Sequence, residues 1–199
     1  MRLIEVFDSI QGEGSWMGMP VTFIRFAGCS LKCEWCDTKD SWDKSGNMNL
    51  SVEDVVARVT QNHVVITGGE PTEQVSELRQ LIHVLKSQGK SVAVESNGTY
   101  EHYDELGADW IVVSPKPKAM YAVFHTGVNE LKYVVTEDFN ADVAIPENLR
   151  VKFAGHIWLQ PCDYQSAKTL KMFRKAYQIA MNDSRLRVGI QLHKAYNVR

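Results

Sequence analysis

Three of the chain's four cysteines, Cys29, Cys33 and Cys36, stand within eight residues, CSLKCEWC, at the spacing CxxxCxxC. Thiolates this close on one loop can converge on a single metal centre yet leave it one ligand short. A structural zinc site normally closes with four protein ligands, whereas an iron–sulfur cluster held by three cysteines keeps one iron open to a small molecule. The remaining cysteine, Cys162, lies far along the chain in QPCD. It is either the fourth ligand of a zinc site or a small buried residue beside an open cluster; as a fourth cluster ligand it would block the open iron. An open iron implies chemistry, and the residues that face it must come from other loops.

Those loops follow from the elements that carry them. Strand and helix signals alternate, which points to an α/β architecture with a mainly parallel sheet. Strands are expected at 3 to 7, 20 to 28, 63 to 67, 91 to 96, 110 to 114, 130 to 135, 156 to 160 and 187 to 192. Ser51 can cap a helix reaching about Thr60. A second helix is expected from about Glu73 to Gln88, with Val75, Leu78, Leu81, Ile82 and Leu85 as its apolar stripe and Gly89 as its stop. A short helix is expected near Tyr103 to Leu106. The last long helix, about Gln165 to Asn182, places Leu170, Phe173, Tyr177 and Met181 on one face, read as core. Stretches 41 to 49 and 138 to 154 read as loops. Six or so strands with crossover helices predict a partial, open (β/α) barrel, although a doubly wound sheet shares the signature.

Either architecture gathers ligand-contacting groups beyond the carboxyl ends of the strands. That rim collects GGEP (68 to 71), SNGT (96 to 99), SPKPK (114 to 118) and QPCD (160 to 163). Gly68 and Gly69 either let the backbone approach a ligand or make an ordinary tight turn, and Glu70 adds an acceptor suited to an ammonium group. Arg25, between Ile24 and Phe26 in an apolar strand, must face a partner or a cavity, because a buried charge left alone is costly.

Composition narrows the class. With 199 residues and 44% apolar content, the chain suffices for one substantial core and is short for two, so one domain over 1 to 199 is expected. A formal net charge of -2 and no cluster of basic residues argue against a nucleic-acid partner. The start, MRLIEVFDSIQGEG, is too acidic and too briefly apolar for a secretory signal, and no run approaches the roughly 18 apolar residues of a membrane span. A cytoplasmic protein with no membrane partner is expected, and there clustered cysteines are more often ligands or catalysts than disulfides.

Together, CxxxCxxC and GGE resemble the radical S-adenosylmethionine superfamily. Eight segments, SIQGEG (9 to 14), FIRFAGC (23 to 29), CEWCDTK (33 to 39), VVITGGEP (64 to 71), ESNGT (95 to 99), VSPK (113 to 116), LQPCD (159 to 163) and QLHK (191 to 194), are similar in order and spacing to the 7-carboxy-7-deazaguanine synthase family. The similarity spans nearly the whole chain. It implies a carbon–nitrogen lyase that converts 6-carboxy-5,6,7,8-tetrahydropterin to 7-carboxy-7-deazaguanine with loss of ammonia, towards nucleosides such as queuosine. It further implies a [4Fe–4S] cluster, catalytically used S-adenosylmethionine, Mg2+, an external flavodoxin-like electron donor and a homodimer. In the superfamily the reduced cluster cleaves the sulfonium, giving a 5′-deoxyadenosyl radical that abstracts a substrate hydrogen.

By that resemblance Cys29, Cys33 and Cys36 hold the cluster, and Thr38 binds magnesium unless its hydroxyl merely caps the cysteine loop. Gly69 and Glu70 receive the methionine amine of the cofactor, with further cofactor contacts from Ser114, Pro115, Lys116, Gln160, Pro161, Cys162 and Asp163. Ile10, Gln11 and Gly12 contact the pterin, Glu13 pairs with its amino and ring nitrogens, Arg25 receives its carboxylate as a bidentate fork, and Thr67 adds a contact. His193 either hydrogen-bonds the substrate or is structural, and the terminal carboxylate of Arg199 reaches the substrate. The segment between the cysteine loop and GGEP is short, so the cover over the site is expected to be minimal. Two other readings share the cysteine loop: a radical activase acting on a glycyl-radical partner protein, and a non-catalytic zinc protein using Cys29, Cys33, Cys36 and Cys162.

Overall fold

Runs of β-branched residues alternate with turn signals along this chain, and they assemble side by side. The structure, a computed structural model, describes residues 1–117 and 127–198. Among the described residues nine strands form one open sheet, ordered β3-β1-β2-β4-β5-β6-β7-β8-β9. Seven of them run parallel: β2 (Pro20–Phe26), β4 (His63–Gly68), β5 (Ser91–Ser96), β6 (Trp110–Val113), β7 (Glu130–Val135), β8 (His156–Pro161) and β9 (Leu186–Val188). At one edge β1 (Arg2–Ile10) pairs antiparallel with β2 and with the two-residue β3 (Met48–Asn49). The expected six or so strands thus grow to nine, with the partial-barrel architecture kept.

Period-2 alternation divides the sheet into two faces. One face carries Ile24, Val64, Ile66, Val92, Val94, Ile111, Leu131 and Leu159, all in the main buried cluster. Against it packs α2 (Val75–Ser87) through Leu78, Leu81, Ile82 and Leu85, the predicted stripe. This helix follows a short 3-10 turn, Pro71–Gln74, and stops at Gly89, whose φ of 75° suits a residue without a Cβ.

Several local expectations are corrected. Ser51 does cap α1 (Val52–Val56), in a capping box with Asp54, but the helix ends four residues before Thr60. The backbone N–H groups of Thr60 and Gln61 turn to the Thr22 hydroxyl instead, at 3.3 and 3.1 Å. Residues 138 to 154 are not a loop: they hold α3 (Ala141–Ala144) and α4 (Glu147–Lys152), tied by Arg150 to the carbonyls of Ile145 and Ala141. The last strand ends at Val188, and Leu192 opens α6 (Leu192–Ala195).

On α5 (Ala167–Met181) the face chosen as core is wrong. Leu170, Phe173, Tyr177 and Met181 are 53, 43, 51 and 68% exposed, and the buried side is Met172 and Ala176. Two neighbouring stripes of this helix are apolar, and Ala176 decides between them, because a side chain that small lets the helix axis lie close to the sheet.

Candidate active site

The sheet's second face is where the polar strand residues emerge. Beside the inward residues Ile24, Ile66, Val94 and Leu131, the alternate positions Arg25, Thr67, Glu95 and Lys132 project to the other side and line one cavity of about 430 Å³. Parallel register sets Arg25 level with Thr67, so one layer of the cavity wall is assembled by strand pairing alone. Val112, Val134 and Gln160 continue that wall across β6, β7 and β8.

The cysteine loop closes one end of this cavity. It leaves β2 through Gly28, whose N–H donates to the Ser41 carbonyl at 2.8 Å, while the Ser30 N–H is held by the Glu73 carboxylate at 2.5 Å. Cys29, Cys33 and Cys36 all line the cavity and none is in a disulfide. The Asn97 side-chain amide lies 3.9 Å from the Cys29 sulfur as a donor, and the Thr38 N–H lies 3.4 Å from that of Cys36. Among the described residues no three Cys, His, Asp or Glu side chains close on a single metal ion. Three thiols from one loop, facing a cavity and supported by N–H donors, fit a polynuclear cluster with one iron left for a ligand.

The two glycines after β4 serve this loop directly. A Cβ on Gly68 would strike the Phe26 backbone, and one on Gly69 would meet Gly28 and the Ser41 carbonyl. Their absence of side chains lets the end of β4 lie against the root of the cysteine loop, joined by Gly69 N–H to Phe26 carbonyl (2.9 Å) and Glu70 N–H to Gly28 carbonyl (2.7 Å). Both glycines also line the cavity.

Glu70 corrects an expectation. It is fully buried and does not line the cavity. One carboxylate oxygen accepts from the Thr72 N–H and hydroxyl and the Ser96 hydroxyl, and the other from the Asn97 N–H. Burial pushes its pKa up despite these donors. The side chain clamps the loops after β4 and β5 together, and it orients the asparagine that faces Cys29; an amine ligand is left to the neighbouring backbone.

A ring of hydrogen bonds continues the wall from β5 and β7. The Lys132 ammonium contacts Glu13 at 2.5 Å and Glu95 at 3.3 Å; Gln11 donates to Glu95 at 2.9 Å and accepts from the Glu13 N–H at 3.1 Å. Burial raises the pKa of Glu13, but the Lys132 charge and hydrogen bond outweigh it and hold the carboxylate below its ordinary value. Lys132 is correspondingly held protonated: burial opposes its charge and the two carboxylates overcome that. From the chain's end, Gln191 donates to the other Glu13 oxygen at 2.8 Å, and Lys194 reaches Asp37, beside Thr38, at 3.0 Å.

Ile10, Gln11, Glu13, Arg25, Thr38, Thr67, Gly69, Ser114, Lys116, Gln160, Pro161, Cys162, Asp163 and His193 all line this cavity. Pro115 and Gly12 do not. Gly12 instead accepts the Leu192 N–H at 2.9 Å, and a Cβ there would run into the His193 imidazole, so its place is to seat α6. Arg25 also pairs with its cross-strand neighbour Glu5 through Nε at 2.9 Å, leaving four of its five N–H donors on the terminal nitrogens. Lys118 and Arg199 lie outside the described residues. Sequence reasoning missed Glu95, Lys132, Asp37 and Lys194, although the argument applied to Arg25, a charge inside an apolar strand, fits Glu95 and Lys132 equally.

A cysteine triad beside a glycine-ended β4, on an open parallel sheet, defines a radical SAM enzyme, and the sequence model of the Radical SAM superfamily matches residues 23–116. A 7-carboxy-7-deazaguanine synthase of Synechocystis sp. is 34% identical, with 99% of this chain and 93% of that protein aligned. Another from Aquifex aeolicus is 35% identical over 100% of this chain and 94% of its own length. The crystal structure of QueE from Escherichia coli superposes with a TM-score of 0.73 at 28% identity, covering 96% of this chain and 93% of that one. The chain belongs to the 7-carboxy-7-deazaguanine synthase family. Membership brings a [4Fe–4S] cluster and S-adenosylmethionine with it, and no helix among the described residues is long and apolar enough to cross a membrane.

Proposed function

We propose that this chain converts 6-carboxy-5,6,7,8-tetrahydropterin to 7-carboxy-7-deazaguanine with loss of ammonia, in 7-deazaguanine biosynthesis of the queuosine type. The observation that carries the reading is one cavity lined by three cluster-type thiols together with Arg25, Thr67 and Glu13. When bound, the cluster and S-adenosylmethionine supply the one-electron chemistry that starts the reaction. Cys29, Cys33 and Cys36 would hold the cluster, while the backbone at Gly69, Ser114, Lys116 and the stretch from Gln160 to Asp163 would receive the cofactor.

The protein's own groups then orient the substrate. Arg25 offers its terminal N–H donors to the substrate carboxylate. Glu13 presents two oxygens to the paired N–H groups of the pterin's amino-pyrimidinone edge, and Ile10, Gln11 and Gly12 set the backbone that carries it. Thr38 donates to Asp37 at 3.1 Å, so its oxygen keeps lone pairs for Mg2+, whose remaining ligands would be water and substrate oxygens. That ion would act as Lewis acid and template. His193 and Arg199 belong to the same substrate reading. The reading includes a reducing cytoplasmic setting, a flavodoxin-like donor and a homodimer; the four cysteines, all outside disulfides, accord with the first.

Anaerobic reconstitution with iron and sulfide, then incubation with reductant, S-adenosylmethionine, Mg2+ and the carboxytetrahydropterin, should release 7-carboxy-7-deazaguanine. A brown, cluster-loaded protein that forms no such product would overturn the substrate assignment. Omission of Mg2+ should lower the rate if Thr38 serves a cation.

A further inference from the structure

Lys132 is a buried ammonium in the substrate half of the cavity that no role so far accounts for. It is 8% exposed and bridges two carboxylates that arrive from different ends of the fold, Glu13 after β1 and Glu95 on β5. Together with Gln11 it closes a ring in which each Glu95 oxygen has one protein donor. Glu13 is likewise held at both oxygens, by Lys132 and by Gln191. The ring carries two carboxylates and one ammonium, so it is one positive or hydrogen-donating partner short. A planar edge with two parallel N–H donors supplies that partner.

We propose that Lys132 is the positioning residue of the substrate pocket: by binding Glu13 and Glu95 at once, it holds the Glu13 carboxylate in the cavity as a two-oxygen acceptor for an amino-pyrimidinone edge. This rests on the pterin reading given above. The reasoning is electrostatic. Without the ammonium, two carboxylates would share a water-poor wall, and like charges in such a place drive one of them to take a proton. A protonated Glu13 would present one acceptor and one donor to an edge that offers two donors, a mismatch that leaves a buried N–H facing an O–H. The other charged groups facing Glu13 are Asp37 on the cysteine loop and Lys194 on α6. They sit on the far side of Gln191 and do not replace a cation at 2.5 Å.

The test uses the reconstituted holoenzyme and its Lys132→Met variant. KM for the carboxytetrahydropterin should rise about ten-fold or more at neutral pH while kcat falls less, as expected when a buried charge pair loses one partner. The KM of Lys132→Met should then recover as pH rises above neutrality, because an unpaired Glu13 regains its charge there; the unaltered enzyme should show no such recovery. Cluster absorbance and S-adenosylmethionine binding should be unchanged, and Lys132→Arg should restore KM to within about three-fold, since it keeps the charge. A KM for Lys132→Met that matches the unaltered enzyme, or that rises equally at every pH, would overturn the proposal. Should Lys132→Met fail to fold, the double variant Lys132→Met/Glu95→Gln relieves the carboxylate–carboxylate repulsion; its KM should still be raised, because Glu13 has lost its anchor, but with a weaker pH dependence, and an unraised KM there would overturn the proposal. If the unaltered enzyme does not turn over the pterin at all, the substrate reading fails and this proposal falls with it. A working enzyme with an indifferent Lys132 overturns this proposal alone.

Discussion

Arg25 shows how one side chain is placed and then employed. Strand parity turns it away from Ile24 and Phe26 into the cavity, its cross-strand neighbour Glu5 takes Nε, and the guanidinium lies 5.8 Å from the Phe7 ring. Held from one side, the fork has its terminal nitrogens left for a carboxylate. Arg25→Ala should therefore raise KM for the carboxytetrahydropterin by about ten- to a hundred-fold, the range of charge-assisted hydrogen bonds. The cluster's visible spectrum should stay as it was, and its loss would show Arg25 to be a structural residue instead. Glu70 makes the contrast: the same kind of charged residue near the same rim turns inward, because Thr72, Ser96 and Asn97 together offer it four donors. Nothing local in GGEP announces those partners, since Ser96 and Asn97 arrive from the next strand.

At the scale of elements, what the sequence made legible was whatever a short period or a short spacing determines. The strands β4, β5 and β7 fall where alternating β-branched residues put them, α2 buries its predicted Leu78, Leu81, Ile82 and Leu85, and the rim motifs meet because parallel strands end together. Glu95 and Lys132 were equally accessible to the parity argument but were absorbed into apolar strands, and only the fold reveals that Lys132 meets Glu13, 119 residues away, and that Glu95 meets Gln11, 84 residues away. The burial of α5 was not legible, because Leu170, Phe173, Tyr177 and Met181 form as good an apolar stripe as Met172, Ala176 and Ile179. The difference is measurable. Leu81→Ala on α2 should cost about 2–5 kcal/mol in urea unfolding, because it opens a cavity in the core. Leu170→Ala on α5 should change stability by no more than about 0.5 kcal/mol. Equal costs would mean that the exposed stripe of α5 is buried after all.

The molecule as a whole closes its cavity by bringing the segment after β1 and α6 to the cysteine loop. Leu192 N–H reaches the Gly12 carbonyl, Gln191 reaches Glu13, and Lys194 joins Asp37 at 3.0 Å and Asp163 at 3.5 Å. Residues after β1, of the cysteine loop, after β8 and of α6 thus meet at one mouth, so the groups proposed for substrate and for cluster share one piece of structure. Burial raises the Asp37 pKa, but Lys194 outweighs it and holds the carboxyl at about 2 against an ordinary 3.8. A carboxyl whose pKa is depressed on folding stabilises the protein above its unfolded value, and that contribution is lost as pH falls through the folded value. Both side chains are partly exposed, so the contribution at neutral pH should be under about 1 kcal/mol. Lys194→Met should lower the urea midpoint slightly and uniformly from pH 5 to 8. The gap to the unaltered protein should narrow below about pH 4 and close only below about pH 2, where Asp37 becomes neutral in both. A gap that persists undiminished at pH 2 would show that Lys194 acts through packing of α6 and not through Asp37.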